Sequence, residues 1–74
     1  MNFTAEQLER LKKRQYHPDG NENQVYSNDG YADSVIKIDQ FGMISYDFVP
    51  INYPEKAEYA EFEDFDELAE MLDI

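Results

Sequence analysis

The sequence predicts an α+β domain: an N-terminal helix, an antiparallel sheet of three to four strands, and a C-terminal acidic helix. Three observations carry this. A capping signature opens an amphipathic stretch at Thr4, two β-rich runs flank a glycine turn at Gly42, and an apolar stripe at helical spacing begins at Phe65. At 74 residues the chain holds one domain, residues 1–74, without repeats or a linker. A domain this small buries only about 60 per cent of its unfolded surface, so a deep catalytic cleft is not expected.

The first element starts where Thr4 and Gln7 make a T-x-x-Q capping box and Phe3 is placed to staple onto Leu8. Leu8 and Leu11 continue a narrow apolar stripe. The Arg10-Leu11-Lys12-Lys13-Arg14 run falls in the last turn, where cations suit the helix dipole. Pro18 is expected to stop the helix, and His17 to Gln24 reads as turn throughout.

Val25 and Tyr26 lead into Asn28-Asp29-Gly30, which favours a tight hairpin turn. Residues 34–39 and 43–49 are the central strands, separated by Gln40-Phe41-Gly42. Ile36 and Ile38 share one face of the first, and Ile44, Tyr46 and Phe48 alternate along the second. For the last part, a strand near 56–62 and a helix from about 64 to 73 are preferred to one long helix. Phe65, Leu68, Ala69 and Leu72 form a clean stripe, but extending it backwards would place Glu58 and Glu61 inside it. Asp64 and Glu67 offer an aspartate version of the capping box at the break.

Charge is segregated along this layout. The chain carries 17 acidic and 6 basic residues, a net charge of −11. The first 15 residues are net +2, residues 16–54 net −5, and residues 55–74 net −8 with Lys56 their only cation. Self-repulsion in that last block costs a marginal domain stability, and an electropositive partner would offset it.

Little in the chain supports catalysis. There is no cysteine, which excludes disulfides, thiolate metal sites and thiol chemistry. His17 is the only histidine, no serine sits in a nucleophile motif, and the three glycines stand singly without a phosphate loop. Asp19, Asn21 and Asn23 match the start of a calcium loop. The match fails at Gln24, where glycine is needed, and at Gly30, where a bidentate glutamate belongs. No enzyme activity, cofactor or metal is expected.

The string Tyr16-His17-Pro18-Asp19 after a basic helix resembles the J-domain signature. The resemblance implies that Arg10, Lys12, Lys13 and Arg14, with the His17-Pro18-Asp19 loop, would touch a heat-shock chaperone ATPase. It covers residues 4–19 only, and β-rich sequence follows where that family has a long third helix.

The acidic block points elsewhere. Glu63, Asp66, Glu67, Glu70 and Asp73 are expected on the solvent side of the last helix, with Glu55, Glu58 and Glu61 recurring every third residue before it. Asp29, Asp33, Asp39 and Asp47 would extend the row across a sheet edge, with the tyrosines and Phe41 as packing anchors. Carboxylates fixed on regular elements can imitate the charge row of a nucleic acid.

In layout and charge the whole chain is similar to small acidic phage-encoded inhibitors that mimic nucleic acid, of the anti-CRISPR and anti-restriction type. That resemblance implies a non-catalytic inhibitor whose partner is a basic nucleic-acid-binding protein such as a CRISPR effector nuclease. The residues expected to meet it are Asp47, Glu58, Glu61, Glu63, Asp66, Glu67, Glu70 and Asp73. No direct nucleic-acid contact is expected, and DNA and RNA mimicry are not distinguished. The alternative is a small interaction module: an adaptor, an immunity protein, or a J-like cochaperone fragment using His17-Pro18-Asp19. No apolar run approaches the ~18 residues of a membrane span, and residues 1–14 are amphipathic rather than leader-like. A cytoplasmic protein is therefore expected, in the host cell if phage-encoded.

Overall fold

The computed structural model describes residues 1–74. Helix α1 (Ala5–Lys12) begins at the expected box: the Gln7 amide donates to Thr4 Oγ1 (3.1 Å), and the Thr4 amide donates to Gln7 Oε1 (2.9 Å). It ends before Pro18. Gln15 takes a left-handed φ of 65°, and the Tyr16 and Gln15 amides donate back to the Leu11 and Lys12 carbonyls, a Schellman turn without glycine.

Five antiparallel strands follow as a meander in the order β1 (His17–Pro18), β2 (Gln24–Asn28), β3 (Ala32–Ile38), β4 (Ile44–Pro50) and β5 (Glu58–Phe62). The sheet thus has five strands rather than three to four. The extra one is His17–Pro18, which the turn-rich composition hides. Its pairing with Tyr26 and Val25 lies at the sheet edge, where a proline that cannot donate to a ladder is tolerated.

The β2–β3 connection is Asp29-Gly30-Tyr31. The Asp29 carboxylate accepts from the Tyr31 (2.9 Å) and Ala32 (3.0 Å) amides, which holds its pKa below the usual value. Gly30 takes φ 87°, a conformation costly for a side chain. Asp39 does the same work before β4, accepting from the Phe41 (2.8 Å) and Met43 (3.0 Å) amides. After β4 a short 3₁₀ turn, Pro54–Lys56, leads into β5.

Helix α2 (Phe65–Leu72) starts where the Asp64 carboxylate accepts from the Glu67 amide (3.0 Å). The box is displaced by one residue: Glu67 Oε2 accepts from the Glu63 amide (3.4 Å) rather than from that of Asp64. Asp73 closes the helix in a left-handed conformation, φ 58°.

Both helices cover one face of the sheet. Alternation places Val25, Ile36, Ile38 and Ile44 on that face, buried against Phe3, Leu11, Phe65, Leu68 and Ala69. Phe3 and Phe65 meet edge to face, with ring centroids 6.3 Å apart. The same face carries a buried polar chain, in which Tyr16 Oη lies 2.7 Å from Ser34 Oγ and Ser34 Oγ donates to the Asp47 carbonyl (3.0 Å). Because serine has one proton, Tyr16 is the donor in the first bond.

Burial pushes the Tyr16 phenol pKa above its ordinary value. A pKa raised by folding means that the native state holds the proton more tightly than the unfolded chain does. The stability it confers is complete below about pH 10 and is lost as pH rises through the folded value. Melting temperature is expected to fall above about pH 10, and Tyr16→Phe to make that decline shallower; an identical slope in the variant would exclude this origin.

The other face of the sheet carries no covering element. Register brings His17, Tyr26, Val35, Asp47 and Tyr59 into one row across all five strands. No helix is long and apolar enough to cross a membrane.

Candidate binding surfaces

The eight carboxylates expected to meet a partner fall on two surfaces, not one row. Glu63, Asp66, Glu67, Glu70 and Asp73 are exposed along and beside α2, opposite the Phe65, Leu68 and Ala69 stripe, as expected. Glu58 is exposed at the start of β5 and shares the helix-side parity of Ala60 and Phe62. Asp47 and Glu61 project from the uncovered sheet face instead, where Asp47 pairs in register with Tyr59 and Glu61 with Ser45. The period-2 alternation of β5 separates Glu58 from Glu61, so their regular sequence spacing does not become a spatial row.

On the α2 surface the charge is largely uncompensated. Only Glu9 and Asp73, of 17 acidic side chains, form ion pairs: Lys12–Glu9 at 3.0 Å and Arg14–Asp73 at 3.7 Å. Asp66 and Glu67 lie in the first turn, where the dipole favours anions. The last turn has no cation of its own. Arg14 Nε donates to the Leu72 carbonyl (2.7 Å), Arg10 Nε donates to the Ile74 carbonyl (3.3 Å), and the Arg10 guanidinium sits 5.1 Å from the Phe65 ring centroid.

Arg10 on α1 and Arg14 in the turn just after it therefore cap the acidic helix from within the molecule. That partnership was open to the sequence reading, because α2 ends without a cation while the first block carries an excess of them. It also sets Asp73 apart from Glu63, Asp66, Glu67 and Glu70, which have no ion partner.

The uncovered face carries Asp33, Asp47 and Glu61 against Lys37, interleaved with Tyr26 and Tyr59. Tyr26 Oη donates to Asp33 Oδ1 (2.7 Å), which also accepts from Asn28 Nδ2. Tyr59 Oη donates to Glu61 Oε1 (2.8 Å). Those hydrogen bonds to carboxylates push both phenol pKa values up. Tyr59 is 60 % exposed and Tyr26 38 % exposed. The sequence reading named Asp47 and Glu61 but not Tyr26 or Tyr59 as their neighbours, since the identity of the uncovered face depends on where the helices dock. Asp29 and Asp39, expected to extend the acidic row, use their carboxylates to hold turns.

A shallow depression of about 350 Å³ at one end of this face is lined by Lys37, Ser45, Tyr59 and Glu61 among others. The segment resembling the J-domain loop is arranged differently from a loop: His17 and Pro18 pair with β2, and only Asp19 lies beyond the strand. No three His, Asp or Glu side chains are placed to hold a metal ion. Comparison with protein-family models, curated proteins and solved structures gives no match.

Proposed function

We propose that the protein is a non-catalytic inhibitor that presents the α2 carboxylates to the basic groove of a nucleic-acid enzyme, such as a CRISPR effector nuclease. The observation that carries this reading is the uncompensated row Glu63, Asp66, Glu67 and Glu70 on one exposed helix surface, with Glu58 on the strand before it. Asp66 and Glu70 lie about one turn apart, roughly 6 Å along the axis, with Glu67 between them and Glu63 just before the helix. Arginine and lysine side chains that ordinarily hold phosphates would pair with this row, and inhibition would follow by competition for the groove.

The arrangement suits such a role energetically. The row is rigid, because Leu68 and Ala69 are buried beneath it and Asp64 caps its start. Carboxylates carried on an already folded helix give up little backbone freedom on binding, so more of the Coulomb attraction appears as affinity. Their mutual repulsion in the free protein is relieved when cations arrive.

The test is capture of partners from a bacterial lysate on the immobilised protein, eluted in separate arms with duplex DNA and with increasing salt. The expected result is a nucleic-acid enzyme released by both. A partner indifferent to DNA and salt would overturn the proposal.

A further inference from the structure

We infer that the uncovered sheet face is a second binding surface, a seat for two arginine side chains of a basic protein segment. One guanidinium would lie on the Tyr59 ring with Asp47 and Glu61 as acceptors, the other on the Tyr26 ring with Asp33. The surface lies across the sheet from α2, and the inference does not depend on which target the α2 row meets.

Several observations converge on arginine. Each exposed tyrosine has carboxylate neighbours on the same face: Tyr59 pairs in register with Asp47 and is bonded to Glu61, and Tyr26 is bonded to Asp33. A ring beside a carboxylate offers a guanidinium both a π face and a fork of acceptor oxygens, which an ammonium uses less well. Those carboxylates keep unused acceptor sites, since each can accept about four hydrogen bonds. The protein itself makes such contacts elsewhere, with Arg10 over Phe65 and Lys56 over Tyr53, the latter at 5.2 Å.

Charge excludes the other occupants. Three carboxylates against Lys37 would repel phosphates and anionic lipid headgroups. A second copy of this chain would bring a further net −11 against the same carboxylates. A cationic segment is complementary on both counts.

The spacing defines the segment further. Tyr26 on β2 and Tyr59 on β5 stand in one row, three strand intervals apart, which is about 14 Å. An extended chain spans that distance in about four residues. Val35 and Asp47, both half-buried, form the floor between the two rings.

The experiment is a titration of the isotope-labelled protein, followed by backbone amide resonances, with a ten-residue serine peptide carrying arginines four positions apart. The same peptide with lysines is the comparison. The arginine peptide is expected to shift amides of Val35, Asp47 and Tyr59 and to bind about fivefold more tightly than the lysine peptide. Tyr59→Ala and Asp47→Asn should each weaken it about fivefold with melting temperature unchanged, while Tyr59→Phe keeps most of the arginine preference.

Equal affinity for the two peptides, shifts confined to α2, or no binding would each overturn the inference. These readouts are separate from DNA-competed capture, so failure here and failure of the inhibitor proposal are distinguishable.

Discussion

Charge reversal of Glu63 and Glu70 to lysine is expected to weaken binding to the captured enzyme about 100-fold, close to tenfold for each site. Each substitution removes an attractive carboxylate and adds a cation that repels the groove. The two positions are chosen because neither side chain makes a hydrogen bond or ion pair in the free protein, unlike Glu67, which accepts from the Glu63 amide. Glu70 also lies in the last half of α2, where a cation suits the dipole, so its reversal leaves the helix intact.

The control is reversal of Glu6 and Glu9 on α1, expected to change binding less than about threefold. Titration of inhibition at low and moderate ionic strength measures both pairs. Affinity of the native protein should fall steeply with salt, and that of the Glu63/Glu70 variant much less. Equal losses for the α1 and α2 pairs would remove α2 from the binding surface.

The second large effect concerns stability. Leu68→Ala is expected to destabilise the domain by about 3 kcal/mol, measured by urea or thermal unfolding. Leu68 is fully buried between α2 and the sheet, in the same cluster as Leu11, Ile36 and Ile44. A small domain has about 5 kcal/mol in total to lose, so the variant should keep only about 2 kcal/mol and melt roughly 15 °C lower. Met71→Ala on the same helix, at a position 43 % exposed, should cost less than about 1 kcal/mol. Equal losses at the two sites would mean that α2 does not dock by the stripe described.

Sequence and structure agree best where the chemistry is local. The Thr4–Gln7 box, the turns at Gly30 and Gly42, and the Phe65–Leu72 stripe are set by residues within a few positions of one another. The break before α2 was also legible, because a continuous helix would have put Glu58 and Glu61 among apolar side chains.

What local sequence left open depends on pairing between distant segments. His17–Pro18 becomes a strand only because β2 presents an edge at Tyr26 and Val25. The helix ends at Lys12, well before Pro18, in a turn through Gln15 whose left-handed conformation no propensity favours. The division of the carboxylates follows from the same cause. Glu58, Glu61 and Glu63 are close in sequence, but the pleat of β5 turns Glu61 to the uncovered face and leaves Glu58 on the other. For the candidate surfaces, composition identified the acidic surplus and most of its members, whereas docking of the helices decided which tyrosines join them.

The arginine contacts at the end of α2 bear on how the molecule assembles. Each strand of the meander pairs with its sequence neighbour, so the sheet can zip together through short loops at modest entropic cost. Docking α1 against the end of α2 is different: Arg10 reaches across 64 positions and Arg14 across 58. That closure is the least local event in the chain, and its ion pair is the most easily loosened by salt. Ions in solution therefore weaken the latch at the end of α2, while Phe65, Leu68 and Ala69 keep the body of the helix docked in the core. A groove lined with cations would compete with Arg14 for Asp73 while pairing with the rest of the row, so engagement of the helix would loosen its latched end.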